Sequence, residues 1–194
     1  MMSKKEVFLK WIPILWYIQL GVLIWEIVSW FPLPTILLDW GNKMLSLVTA
    51  VVLFQLVPVC KRYRIAGIFV CVAVVLSLVN MFIQNTMVQL GASACALAAL
   101  YFEFIAHAEL VKECVPKLAK SWNVLFEWEI ICGVVVGIIG APLAVVIAVM
   151  LAIDPNIAAS GIMVLMAGGG IVLQIVYLIL LKRTQAAYEK EVIS

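Results

Sequence analysis

The chain has 194 residues, of which 66% are hydrophobic and only 12% charged, and its formal net charge is +2; a soluble domain is roughly 45–50% apolar and about 25% charged. So short a chain has too little interior to hide this much apolar surface from water, which excludes an ordinary soluble protein, a disordered one and any sizeable domain outside a membrane. The near balance of 13 Lys+Arg against 11 Asp+Glu leaves no basic face for a nucleic acid.

A helix crosses the roughly 30 Å hydrocarbon core of a bilayer in about 20 residues. Six apolar stretches of about that size occur, at 11–31, 44–59, 65–83, 87–108, 130–153 and 157–181. None alternates apolar and polar residues as a barrel strand would. The expected fold is therefore all-α: a six-transmembrane-helix bundle forming one integral membrane domain over 1–194.

The first stretch follows Lys4, Lys5 and Lys10 and imitates a signal peptide. It is too long for one, and Trp30-Phe31-Pro32-Leu33-Pro34 stands where small residues would mark a cleavage site, so it is retained as the first span. The loop from Pro32 to Lys43 carries two prolines and an expected Asp39/Lys43 pair. The other outer connections are turns at Gln84 to Thr86 and at Asp154-Pro155-Asn156. The fourth loop, Glu109 to Glu129, is the largest hydrophilic element. In it Val111, Val115, Leu118, Trp122 and Leu125 recur at helical spacing, and Pro116 suits a first turn. This predicts an amphipathic helix lying in the inner interface.

The fifth stretch carries small residues at Gly133, Gly137, Ala141, Ala144, Ala148 and Ala152, a ridge that lets another helix approach closely. Such a ridge would serve a second copy of the chain or a membrane partner subunit, the lipid bilayer being the one neighbour that composition requires. Pro142 invites a kink there, and Gly168-Gly169-Gly170 loosens the sixth stretch.

Charge sets the expected orientation. Six spans put Lys4, Lys5, Lys10, Lys61, Arg62, Arg64, Lys112, Lys117, Lys120, Lys182, Arg183 and Lys190 on one side, with only Lys43 opposite. Cytoplasmic loops retain positive charge, so both termini are expected in the cytoplasm of a protein integral to the cell membrane. Trp11, Trp16, Trp122 and Trp128 fall near the inner boundary and Trp25, Trp30 and Trp40 near the outer one, where indoles anchor.

Enzymatic chemistry finds little support, and no cofactor is expected. The five cysteines show no C-x-x-C spacing, and the single histidine belongs to no zinc pattern. Ser160, between Ala159 and Gly161, has no histidine within reach, and the glycine run lacks the Lys-Ser/Thr of a phosphate loop.

Polar residues inside the spans remain. An ionised side chain near the bilayer centre costs about 2.5–3.5 kcal/mol on insertion scales, so it should face protein or water. Glu26 lies in the outer part of the first span. Gln89, Ser93, Ala96, Leu100, Glu103 and His107 follow one another at spacings of four and three, which places them on one stripe of the fourth span. Glu103 and His107 at i,i+4 can share a proton. Gln19, Gln55 and Gln174 lie at similar depth in their own spans, and with Tyr177 could wall an inner-half site around Glu103. A second row, Ser77, Asn80 and Gln84, marks the outer part of the third span. The equally plain reading is that these groups only bond helices together.

No family's diagnostic motif appears. In size and span count the chain is similar to the substrate-binding membrane subunits of energy-coupling-factor vitamin transporters. Those have developed outer loops and small-residue spacing on the first span, which here reads Leu15-Trp16-Tyr17-Ile18-Gln19. The leading expectation is a small multi-pass transporter, channel or transporter subunit with a polar intramembrane site. The alternative is a non-transporting interaction, regulatory or assembly protein of the membrane.

Overall fold

The computed structural model describes residues 3–32, 34–112, 115–133, 146, 149, 150 and 155–193, giving only the backbone at 155–160, 162–167 and 191–193. The described residues are all-helical. Six helices are delimited: α1 (Lys4–Val28), α2 (Thr35–Gln55), α3 (Arg62–Ile83), α4 (Thr86–Val111), α5 (Pro116–Ile130) and α6 (Pro155–Ile193). Five of them, α1 to α4 and the Gly168–Lys190 part of α6, are long and apolar enough to cross a membrane. They form a helical membrane bundle. The expected fifth span, 130–153, lies almost wholly outside the described residues.

Local chemistry explains where the helices begin and end. α1 starts at Lys4, seven residues before the predicted 11–31, because Ser3 and Glu6 make a capping box: the Ser3 hydroxyl accepts from Glu6 N (3.2 Å) and Glu6 Oε2 accepts from Ser3 N (2.8 Å). Pro13 sits inside this helix. α2 starts at Thr35, nine residues before the predicted 44–59, so the first outer connection is shorter than expected. Asp39 and Lys43 are helical, and Lys43 Nζ donates to the Asp39 backbone carbonyl (3.4 Å) in place of the expected side-chain pair. The same helix ends at Gln55, and Leu56 to Val59 form turns around Pro58, which cannot continue an α-helix.

The α3–α4 hairpin is pinned by two asparagines. Gln84 ends α3 in the left-handed conformation (φ 50°). Asn85 caps α4, its Oδ1 accepting from Met87 N (2.8 Å) and Val88 N (3.4 Å). Asn80 Oδ1 accepts from Asn85 N, and its Nδ2 donates to Gln89 Oε1, both at 2.9 Å.

α5 begins with Pro116 at its first turn, as its sequence suggests, and buries Leu118, Ala119, Trp122 and Leu125. It does not lie flat across the end of the bundle. Trp122 meets His107 and Phe126 meets Phe104 and Tyr101, so α5 ascends as α4 descends, an antiparallel packing that turns the apolar stripe onto protein instead of lipid. The stripe expected to face lipid is therefore covered by protein. The reason is the ring cluster on α4 and α6, which offers Trp122 closer contacts than acyl chains can.

One buried cluster holds the end of the bundle that carries the basic clusters. It joins Phe8, Ile12 and Leu15 of α1, Leu53 and Leu56 of the α2 end, Tyr63 and Ala66 of α3, Phe104 and Val111 of α4, Trp122 of α5 and Leu181 of α6. Among the described residues α1 and α4 are not direct neighbours, and towards the opposite end a space opens between them, α2 and α3. The space left there is the candidate site. Phe82, Met87, Leu90 and Val75 project from the outer faces of α3 and α4, 58–88% exposed, as lipid-facing side chains do.

Candidate functional site

A cavity of about 710 Å³ runs between α1, α2, α3 and α4. At its open end stand Asp39, Asn42 and Lys43 of α2, Asn80 of α3 and Gln89 of α4; along its walls are Ser46, Thr49, Ser77 and Ser93; Gln19 and Glu103 lie at depth. Asp39, Asn42 and Gln89 are exposed, whereas Glu103 is only 3% exposed. The cavity therefore leads from solvent at the end opposite the basic clusters to a buried carboxylate. Its volume falls in the range of ligand pockets, about 300–1,000 Å³.

The helical spacing of α4 puts Gln89, Ser93, Ala96, Leu100 and Glu103 along this wall. Small residues at Ala92, Ala96 and Ala99 keep it open, because no long side chain fills the space. The wall hydroxyls are partly satisfied by their own helix: Ser46 Oγ donates to the Asn42 carbonyl (2.9 Å) and Thr49 Oγ1 to the Leu45 carbonyl (3.0 Å). Their lone pairs remain free to accept from a solute.

Below the cavity a chain of polar groups enters the core. Tyr177 of α6 donates its hydroxyl proton to Glu103 Oε1 (2.5 Å). The same hydroxyl lies 3.4 Å from His107 Nε2, and His107 Nδ1 lies 2.8 Å from the Tyr63 hydroxyl. His107 and Glu103, one turn apart on α4, approach to 3.8 Å. Tyr63 and His107 are fully buried and Tyr177 is 3% exposed. The Trp122 ring stacks on His107 (centroids 4.5 Å, interplanar angle 23°), and its Nε1 donates to Thr184 Oγ1 (3.0 Å). Phe104 adds a ring 5.6 Å from that of Trp122 and 5.5 Å from that of Tyr177. These aromatic groups close the inner side of the cavity floor.

Not every expected site residue joins this assembly. Gln19 lines the cavity, and Gln174 Nε2 donates to Gln19 Oε1 (2.9 Å), tying α6 to α1. Gln55 is exposed as the last residue of α2, away from both cavity and ring cluster, because its helix ends a turn earlier than the predicted span. Glu26 is half-buried near the end of α1 and does not line the cavity. Asn80 does line it, while also pinning the hairpin. Gln84 lies in the turn, outside the cavity. Gly133, the first residue of the expected ridge, is exposed, with no atom within 4 Å of where a Cβ would stand, so no close helix contact occurs there among the described residues. Gly137 and Ala141 lie outside the described residues. No group of three metal-ligating side chains occurs among the described residues.

Several residues of the site are absent from the sequence-level expectation, among them Phe104 and Thr184 of the ring cluster. Asn42, Ser46 and Thr49 fall at spacings of four and three on α2, a legible stripe obscured when Asn42 is assigned to a loop. Tyr63, between Arg62 and Arg64, reads as a boundary tyrosine, and nothing local shows that its ring turns inward onto His107. No protein-family model matches the chain, and no curated protein or solved structure matches it.

Proposed function

We propose that the protein is a small multi-pass transporter, channel or transporter subunit that moves a small polar solute or ion through the α1–α4 cavity. The observation that carries this reading is the cavity itself: a space in a lipid-facing bundle where hydroxyl and amide groups stand among aliphatic side chains, ending on a buried carboxylate. A membrane protein needing only cohesion has no reason to keep such a space, since burying the polar walls against one another would satisfy them. With the intervening 130–153 stretch as a further span, both termini lie in the cytoplasm of the cell membrane, and the cavity opens outward.

A solute is first met by Asp39 and Lys43, then by neutral hydrogen-bonding groups, and last by Glu103. The ring cluster of Tyr63, His107, Trp122 and Tyr177 acts as the inner barrier. Release to the inside requires α6 or α5 to part from α4, because their side chains form that barrier. Solute uptake by proteoliposomes tests the reading. Vesicle swelling is followed after mixing with isosmotic urea, glycerol or methylammonium chloride. The native protein should admit at least one of these faster than protein-free vesicles, and Glu103→Gln should lower that rate at least tenfold. Swelling no faster than that of protein-free vesicles in all three, together with no protein-dependent proton entry, would contradict it.

A further inference from the structure

The groups beneath the cavity do more than block it: their order is that of a proton path. We infer that the ion handled at this site is the proton, carried from the outer cavity through Glu103, Tyr177, His107 and Tyr63 towards the basic end of the bundle. The inference rests on the cavity opening outward, as argued above. Its basis is a succession of exchangeable groups at 2.5, 3.4 and 2.8 Å, drawn from three helices and almost wholly shielded from solvent.

The transfer balances at each atom. A proton from cavity water adds to the Glu103 carboxylate. When that acid donates to the Tyr177 oxygen, the Tyr177 hydroxyl hydrogen turns to His107 Nε2. Movement of both hydrogens one place along regenerates the carboxylate and the tyrosine and leaves an imidazolium. His107 Nδ1 then gives its hydrogen to the Tyr63 oxygen, and as the Tyr63 ring swings towards the basic end its own hydroxyl hydrogen passes to water there, which leaves as hydronium. His107 returns to the neutral state as the opposite tautomer, and ring reorientation or reverse exchange resets it.

Imidazole is suited to the central position because it binds a proton at one nitrogen and releases one from the other. The stacked Trp122 face gives the transient cation an aromatic surface to rest on. Beyond Tyr63, the first turn of α3 and the end of α4 hold Arg62 and Glu109, paired at 2.6 Å with side chains 40% and 43% exposed, where a proton meets solvent. Cys60 Sγ, 3.6 Å from Glu109 Oε2, belongs to the same end. Among the described residues, the titratable groups facing the Glu103–His107 pair are Tyr63 from α3 and Tyr177 from α6; α5 presents Trp122, which does not titrate.

Pyranine-loaded proteoliposomes supply the test, with protons as the probe and a valinomycin-set potassium potential as the driving force. The native protein should acidify the lumen faster than protein-free vesicles. Tyr177→Phe and His107→Gln should each reduce the protein-dependent rate at least tenfold, and Tyr63→Phe, which removes one hydroxyl at the far end, should do the same. Each variant must elute as the native protein does and, in a cysteine-free background carrying Ser93→Cys, label from outside as that background does without the variant. Native vesicles no faster than empty ones, or hydroxyl-deleted variants conducting at the native rate, would overturn the inference. Failure of outer labelling at Ser93→Cys would instead overturn the cavity reading, so the two failures are distinguishable.

Discussion

At the scale of single residues, the tryptophans show how far position along a span differs from position in a fold. Trp16, Trp25 and Trp122 fall at the expected membrane boundaries by sequence. Trp16 Nε1 instead donates to the Leu178 carbonyl (3.1 Å), Trp122 is fully buried against His107, and the Trp25 ring lies over Gly41. A Cβ at position 41 would stand 2.1 Å from that ring, so only glycine lets α1 and α2 meet there. Cys60, in the turn between α2 and α3, permits a test by pH. Burial pushes its thiol above the ordinary thiol range, the backbone hydrogen bond with Arg62 opposes this, and the neighbouring Glu109 carboxylate adds to the rise. A raised value means that the unreactive thiol persists to higher pH. In a variant keeping only this cysteine, alkylation by iodoacetamide should follow a pH profile displaced upward from that of free cysteine; a midpoint at or below the free one would contradict the described packing.

At the scale of elements, the helices were legible in the sequence more firmly than their ends. Apolar length alone indicates α1 to α4 and α6, because lipid admits few other backbone arrangements. Their boundaries depend on short polar signals that hydropathy averages away: the Ser3/Glu6 box lengthens α1, and Thr35 to Lys43 are helical despite the polar residues among them. The cap at α4 gives a quantitative check. Asn85→Ala leaves two backbone N–H groups without their side-chain acceptor, which should cost about 1 kcal/mol. Thermal unfolding in detergent should show a lowered midpoint for Asn85→Ala and near-native behaviour for Asn85→Asp, which keeps the acceptor. Equal stability of all three would mean that the hairpin is held by packing alone. The orientation of α5 was not legible: its stripe of Leu118, Trp122 and Leu125 fits lipid and protein equally, and only the positions of His107 and Phe104 in space decide between them.

At the scale of the whole molecule, polarity divides the bundle. The end with the basic clusters is packed with aromatic and aliphatic side chains, while the opposite end is opened by serines, threonines, asparagines and alanines. Half of the candidate site could be read from the α4 stripe because all its members lie on one helix. Gln19, Asn80 and Tyr177 were also expected from their positions in other spans, whereas Tyr63 was not, since it reaches His107 from the first turn of a helix far away in sequence. On the proposed reading, water reaches Glu103's helix from the outer side and not from the inner one. In a cysteine-free background, a membrane-impermeant thiol reagent should modify Ser93→Cys and Ala96→Cys on the cavity wall when added outside, and leave Leu97→Cys, one position round the helix, unmodified. Reaction at Ser93→Cys and Ala96→Cys only from the cytoplasmic side, or silence at both from either side, would contradict the account.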